Sequence, residues 1–160
     1  MEKKLYKTIV RKAKYSDSKD VLRLIRQLEP ELTNEDLKKA REIFKTIAEK
    51  DNYLNKVAIL RNKKNREKIV GFISLNFNRT IHDLGLVATI NELVIDENYR
   101  NKRIGSILLK NAIEEAKYRD CVEIEVSSSL ERVDAHQFYK KYGFKEVGKF
   151  FSKELINKNN

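Results

Sequence analysis

The stretch ELVIDENYRNKRIGSILL, residues 92–109, decides the reading of this chain. It begins as an apolar strand carrying one carboxylate, Glu92. It then places three cations, Arg100, Lys102 and Arg103, within four residues of a loop, and after Gly105 it runs on as a helix marked by Ile104, Ile107, Leu108, Ala112, Ile113 and Ala116. A loop that leaves a strand and opens a helix points its free backbone N–H groups, and the positive end of the helix dipole, at whatever sits above the strand. That arrangement predicts an anion site, with Gly105 allowing close approach and the three cations adding charge.

Outward from this stretch the pattern alternates between strands and helices. YKTIVRKA predicts a first strand. DSKDVLRLIRQL predicts a helix with Asp17 and Asp20 at capping-box spacing and Val21, Leu22, Ile25 and Leu28 on one face, closed by Pro30. Thr33 with Asp36 caps a second helix, whose Leu37, Ala40, Phe44 and Ile47 share a face. KVAILR, KIVGFISLNFN and LVATINELVI read as three strands, with Ile69, Gly71, Ile73, Leu75 and Phe77 expected on one side of the second. After the helix from residue 104 come the strand CVEIEVS, the helix ERVDAHQFYKKY ended by Gly143, and a last strand, FKEVGKFF. The order β-α-α-β-β-β-α-β-α-β predicts a mixed α/β fold in a single domain spanning residues 1–160, its core from about 5 to 155.

The 160 residues are enough for a substantial core, and 41% hydrophobic with 36% charged residues excludes both a disordered chain and a membrane-embedded one. Neither a spanning segment nor a signal peptide is visible, so a cytoplasmic location is expected. One cysteine, Cys121, permits no internal disulfide, and two histidines, His82 and His136, offer no metal cluster; no metal is expected. The 34 basic against 24 acidic residues give a formal charge of +10, which favours anionic partners.

The segment ELVIDENYRNKRIGSILL resembles the acyl-CoA-binding segment of the GNAT superfamily of N-acetyltransferases, whose Arg/Gln-x-x-Gly-x-Gly/Ala loop cradles the acetyl-CoA pyrophosphate. RVDAHQFYKKYGFKEVGKF is similar to the family's closing helix and strand, with its Ala-x-x-Phe-Tyr-x-x-x-Gly-Phe pattern. The resemblance implies an acyl-CoA N-acyltransferase fold with a twisted sheet of six or seven strands and four helices. It implies transfer of an acetyl group from acetyl-CoA to a primary amine by direct attack in a ternary complex. The cofactor would be held by Arg100, Asn101, Lys102, Arg103, Ile104, Gly105 and Ser106, and by the backbone of Leu93, Val94 and Ile95. Arg132 and His136 are further cofactor-side candidates, Tyr139 takes the position of the family's acid, and Glu92 is the candidate base.

The chain departs from the family pattern where glycine is usual at residues 101 and 103. Arg103 is read as the ordinary right-handed start of the following helix. Relatives place the base differently along the strand, at positions held here by Thr89 or Asn91. Cys121 reads as a small buried residue. Two other functions stay open: a basic nucleic-acid-binding domain, which lacks aromatics interleaved with its cations, and a CoA-binding regulator without catalysis. The acceptor has no recognisable code among candidates such as a polyamine, an amino acid, an amino sugar or a protein amine, and a homodimer is compatible with the family.

Overall fold

The computed structural model describes residues 7–62 and 64–155; Tyr6 at the start of the first expected strand and Lys63 in the turn after the second lie outside them. The chain divides into two compact units, residues 1–125 and 126–160.

The first unit is built on five strands in the order β1-β2-β3-β4-β5: β1 Lys7–Lys12, β2 Tyr53–Arg61, β3 Glu67–Thr80, β4 Gly85–Ile95 and β5 Cys121–Val126. The first four pair antiparallel in succession. β4 and β5 are joined through the helix α3, Ile104–Tyr118, the kind of crossover that links parallel strands. Their contacts agree: a Cβ at Gly85 would meet Val122 at 2.5 Å, and Thr89 Oγ1 donates to Glu125 Oε1 at 2.8 Å, so both chains advance the same way. The result is a mixed α/β sheet of five strands rather than the expected six or seven. FKEVGKFF forms no strand: a strand needs a ladder partner, and among the described residues none pairs with it.

Helices α1, Ser18–Leu28, and α2, Asn34–Ala48, cover one face of this sheet, with Val21, Leu24 and Phe44 packed on Val57, Ile59, Phe72 and Val94. α3 covers the other, where Leu108 and Ile95 come so close to Gly71 that a Cβ would stand about 3 Å from both. Two bulges interrupt the ladders. Ala58 pairs Gly71 but Ile59 pairs Ile69, leaving Val70 as an extra residue; Ser74 pairs Glu92 but Leu75 pairs Ile90, leaving Asn91 extra. The first bulge corrects the expected row: Ile69 crosses to the α1 and α2 face beside Phe72, away from Gly71 and Ile73.

The Thr33 cap forms as expected, Thr33 Oγ1 accepting from Asp36 N at 3.2 Å while Asp36 Oδ2 accepts from Thr33 N at 2.9 Å. The Asp17 cap does not. Asp17 is buried and spends its carboxylate on both Arg11 Nη atoms, at 2.7 and 2.9 Å, and on Lys14 N at 2.8 Å. The Arg11 hydrogen bond outweighs burial and holds the Asp17 carboxyl below its usual range.

The second unit holds α4, Val133–Lys141, which closes on Gly143 at φ +87°. Gly143 N donates to Lys140 O at 3.0 Å and Phe144 N to Tyr139 O at 3.2 Å, the paired bonds of a Schellman motif.

Candidate functional site

The first unit gathers Glu92 and residues 93–106 at the end of β4. On the β3 side Leu93, Val94 and Ile95 pair with Ile73, Phe72 and Gly71. On the other side β5 stops at Val126, and the contacts of Gly85 with Val122 and Thr89 with Glu125 place that stop opposite the bulge. Among the described residues no strand pairs residues 93–95 along this edge, so their backbone polar groups stand available to an extended ligand, while the Val94 side chain is core.

Asp96 anchors the turn beyond β4. It is 1% exposed, accepts from Arg23 Nη1 at 2.6 Å and from Asn98 N at 3.1 Å, and its own N–H donates at 2.9 Å to the carbonyl of the bulged Val70. Burial would raise its carboxyl, but the Arg23 and Asn98 hydrogen bonds together bring it below the ordinary value. Arg23 Nη2 also donates to Ile69 O of β3 at 2.9 Å, and Gln27 Oε1 accepts from Glu97 N at 3.0 Å, so α1 fixes the exit of β4 at two points and ties it to β3 at a third. Neither Asp96 nor Arg23 stood out in the sequence, since a carboxylate after a strand usually meets water. A short 3-10 turn, Glu97–Tyr99, then leads into the basic loop.

Both residues that replace family glycines are left-handed, Asn101 at φ 59° and Arg103 at φ 63°. The right-handed start expected at Arg103 is therefore wrong: the chain must reverse sharply to enter α3, and Arg103 is the N-cap that makes the reversal. A non-glycine residue holds that conformation at a cost of roughly 1–2 kcal/mol, less for Asn, whose side chain bonds locally. The reward is orientation. None of the N–H groups of residues 100–106 has a protein acceptor among the described residues, and they surround the N-terminus of a 15-residue helix. Gly105 and Ser106 lie in its first turn, and Ile104 is buried beneath it.

The cations divide. Lys102 turns back, its Nζ 3.0 Å from Asn98 O and 4.8 Å from the centre of the Tyr99 ring, which Lys68 approaches at 4.8 Å as well. Arg100 Nε reaches Ile95 O at 3.4 Å, a weak bond, and Arg103 is exposed. Arg100 and Arg103 are thus the side chains free to meet an anion, and Lys102 braces the loop.

Glu92 stands on β4 just past the bulge, half-buried; burial pushes its carboxyl up and the Ser74 hydroxyl, its cross-strand partner, draws it part of the way back. In the second unit, Tyr139 lies against Phe138 and Phe144, with ring centres 5.4 Å away in each case, and burial pushes its phenol up to about 12 although the Arg132 charge opposes it. His136 Nε2 is 2.9 Å from Ser129 O, and Arg132 is the N-cap of α4. Cys121 is half-buried and its thiol is raised by burial despite Arg119, which makes it a poor nucleophile.

The first unit carries a basic loop of free N–H groups at a strand end with an unpaired edge before it, the second a half-buried tyrosine ahead of a Gly-Phe turn, and a family model, that of the GNAT acetyltransferases, matches residues 21–144. This chain belongs to the acetyltransferase (GNAT) family. The chain is 38% identical over 88 residues to the aminoalkylphosphonate N-acetyltransferase of Salmonella typhimurium, a match covering 55% of this chain and 57% of that relative. The chain thus spans little more than half the length of that relative. A crystal structure described as a transcriptional regulator from Bacillus halodurans superposes with a TM-score of 0.81 at 26% identity, over 93% of this chain and 100% of that one. An aminoglycoside N-acetyltransferase solved with CoA superposes at 0.78 with 14% identity, over 98% and 100%, and shares the GNAT fold.

Within this GNAT chain no cluster of three or more metal-ligating side chains occurs among the described residues, and no described helix is long and apolar enough to cross a membrane.

Proposed function

We propose that this GNAT protein transfers an acetyl group from acetyl-CoA to an amine. The observation that carries the reading is the left-handed loop at Asn101 and Arg103, in which the N–H groups of residues 100–106 have no protein acceptor among the described residues, just beyond the strand edge at residues 93–95. Such a cradle suits a pyrophosphate, whose charge the N–H groups, the α3 dipole, Arg100 and Arg103 would meet together. The residue 93–95 edge fits the amide-bearing arm of the cofactor as an added strand, and one of its N–H groups would face the thioester oxygen as negative charge develops there. Acetyl-CoA supplies the activated acyl group.

The chain's own residues account for the proton movements. Glu92, raised by burial, is the base that takes the proton from the acceptor ammonium, leaving the electron pair on nitrogen for attack. Tyr139 keeps its proton throughout the neutral range and is the acid for the departing thiolate. A phenol near 12 is a weaker acid than a free tyrosine.

An acceptor carrying an anionic group is favoured by one further observation. The groove between α1 and α2, about 910 Å³, is lined by Lys19, Arg26, Lys38, Lys39 and Arg41, besides Arg23, which Asp96 holds, against Glu35, paired with Lys38, and Glu42 among carboxylates. A polyamine would be repelled there. The Salmonella relative acts, by its name, on an aminoalkylphosphonate, whose anionic head matches this charge. The test is an amine screen with a thiol-release readout: faster turnover of amines bearing a phosphonate, phosphate or carboxylate supports this acceptor class, and preference for polyamines excludes it.

A further inference from the structure

The second bulge opens onto a polar row that runs across the sheet. Asn55 on β2 pairs Ser74 on β3, and Ser74 pairs Glu92 on β4, so the three side chains share the α1 and α2 face as direct cross-strand neighbours, with Cβ atoms roughly 4.5–5.5 Å apart. One step along the strands, the equivalent row is Val57, Phe72 and Val94, all core. Two members of the polar row are equally deep, Asn55 at 2% and Ser74 at 0% exposed, while Glu92 is half-buried. Yet Asn55 Oδ1 and Ser74 Oγ are buried without a partner at hydrogen-bond distance, Ser74 Oγ lying only near enough to Glu92 to draw its carboxyl down. Leaving two such atoms unsatisfied disfavours the fold by about 1–3 kcal/mol each, and an apolar pair there would avoid it.

The charged groups around the row are committed elsewhere. Arg23 of α1 holds Asp96, Glu125 of β5 accepts from Thr89, and Ala13, whose N–H donates to Asn55 O at 2.8 Å, closes the β1 end with an apolar side chain. Tyr53 begins the next row on the same face, opposite Asn76. The Ser74 hydroxyl then stands between the Asn55 amide and the Glu92 carboxylate, where it can donate to Asn55 Oδ1 or to the carboxylate.

We propose that Ser74 and Asn55 are positioning residues for Glu92, forming a hydrogen-bonded row whose hydroxyl proton turns toward the Glu92 carboxylate before proton abstraction and toward Asn55 Oδ1 after it. The catalytic meaning of this row rests on the reading of Glu92 as base. With Glu92 ionised, Ser74 O–H donates to its carboxylate and fixes its rotamer. When the acceptor N–H bond breaks, its electron pair stays on nitrogen, and the proton forms an O–H bond on Glu92. That O–H donates to Ser74 Oγ, and the Ser74 hydroxyl swings to Asn55 Oδ1. Protonated Glu92 thereby satisfies the whole row, and the direction of the bonds records the protonation state.

The two residues pull on Glu92 in opposite directions, which gives the row a signature that packing alone lacks. Ser74→Ala removes the donor to the carboxylate and raises the Glu92 pKa. Asn55→Leu removes the competing acceptor, leaves Ser74 donating to Glu92 alone, and lowers it. Both are read directly, without an acceptor, by NMR titration of the ¹³C-labelled glutamate carboxyls, with Glu92→Gln assigning the resonance and the thermal midpoint confirming a folded chain. Should Ser74→Ala unfold the protein, Ser74→Cys, which keeps the size and weakens the donor, takes its place with the same upward sign. Shifts of opposite sign support the proposal; shifts of the same sign, or none, overturn it. Turnover of Glu92→Gln is a separate readout: undiminished turnover removes Glu92 as base while the titration still decides the hydrogen-bonded row.

Discussion

Replacing Arg103 by glycine puts the loop geometry to a direct test. Arg103 is held at φ 63°, a conformation that disfavours a residue with a Cβ by about 1–2 kcal/mol. Glycine relieves that strain but gives the unfolded chain extra freedom worth about 0.5–1 kcal/mol, so the net stabilisation is about 0.5–1 kcal/mol. Losing a positive charge from a crowded basic loop complicates the comparison, and Arg103→Ala is the control, since it removes the same charge while keeping the Cβ. For a chain of this size, about 1 kcal/mol moves the thermal midpoint by about 2–4 °C, so Arg103→Gly should melt about 1–4 °C above Arg103→Ala without ligand. Equal midpoints, or a lower one for the glycine variant, would refute the left-handed entry into α3 and with it the argument for the N–H cradle. Both variants should bind acetyl-CoA more weakly than the parent in low salt, because both lose the cation, and the difference should fade at high salt.

Tyr139→Phe should lower kcat by about 100-fold or more while leaving acetyl-CoA binding within a few-fold, measured by thiol release and calorimetry; undiminished turnover removes Tyr139 as the acid. Because its phenol lies near 12, the parent should show no loss of turnover from Tyr139 ionisation up to about pH 10. Asp96 sits below its unfolded value, so the stability it contributes is present above about pH 4 and is lost as acid protonates the folded carboxyl; Arg23→Met, leaving the buried Asp96 with only Asn98 and a distant Lys68 at 3.9 Å, should destabilise by about 3 kcal/mol at pH 7 and reduce that acid-side fall in the thermal midpoint. Thr33→Ala should cost about 1 kcal/mol in chemical denaturation through loss of the α2 cap.

The features legible in the sequence were local. The Thr33 cap, the periodic helices, the basic loop after β4 and the Gly143 stop each depend on a few neighbouring residues, and each stands where its spacing placed it. The features hidden from it depend on register between strands. One extra residue at Val70 moves Ile69 to the opposite face, and another at Asn91 sets Glu92 opposite Ser74; no alternation within a single strand announces either. The Asp17 cap failed for the same kind of reason, because Arg11, six residues back on β1, captures the carboxylate that the helix start would have used. Ser74 and Asn55 were visible only as polar residues inside apolar strands. Their meaning appears when the ladder aligns them with Glu92. Arg103 was misread because its helical neighbours on one side outweighed the reversal that the strand end imposes on the other.

The most direct test of the account is the thermal midpoint with saturating acetyl-CoA, set against an inorganic polyphosphate of equal charge. Acetyl-CoA at about 100 times its dissociation constant should stabilise the chain by roughly 2.7 kcal/mol, or about 5–11 °C, and the polyphosphate should do much less. An equal shift with both ligands, or none with acetyl-CoA, would reduce the loop at Arg100 and Arg103 to a cationic patch and contradict an acetyl-CoA-dependent activity.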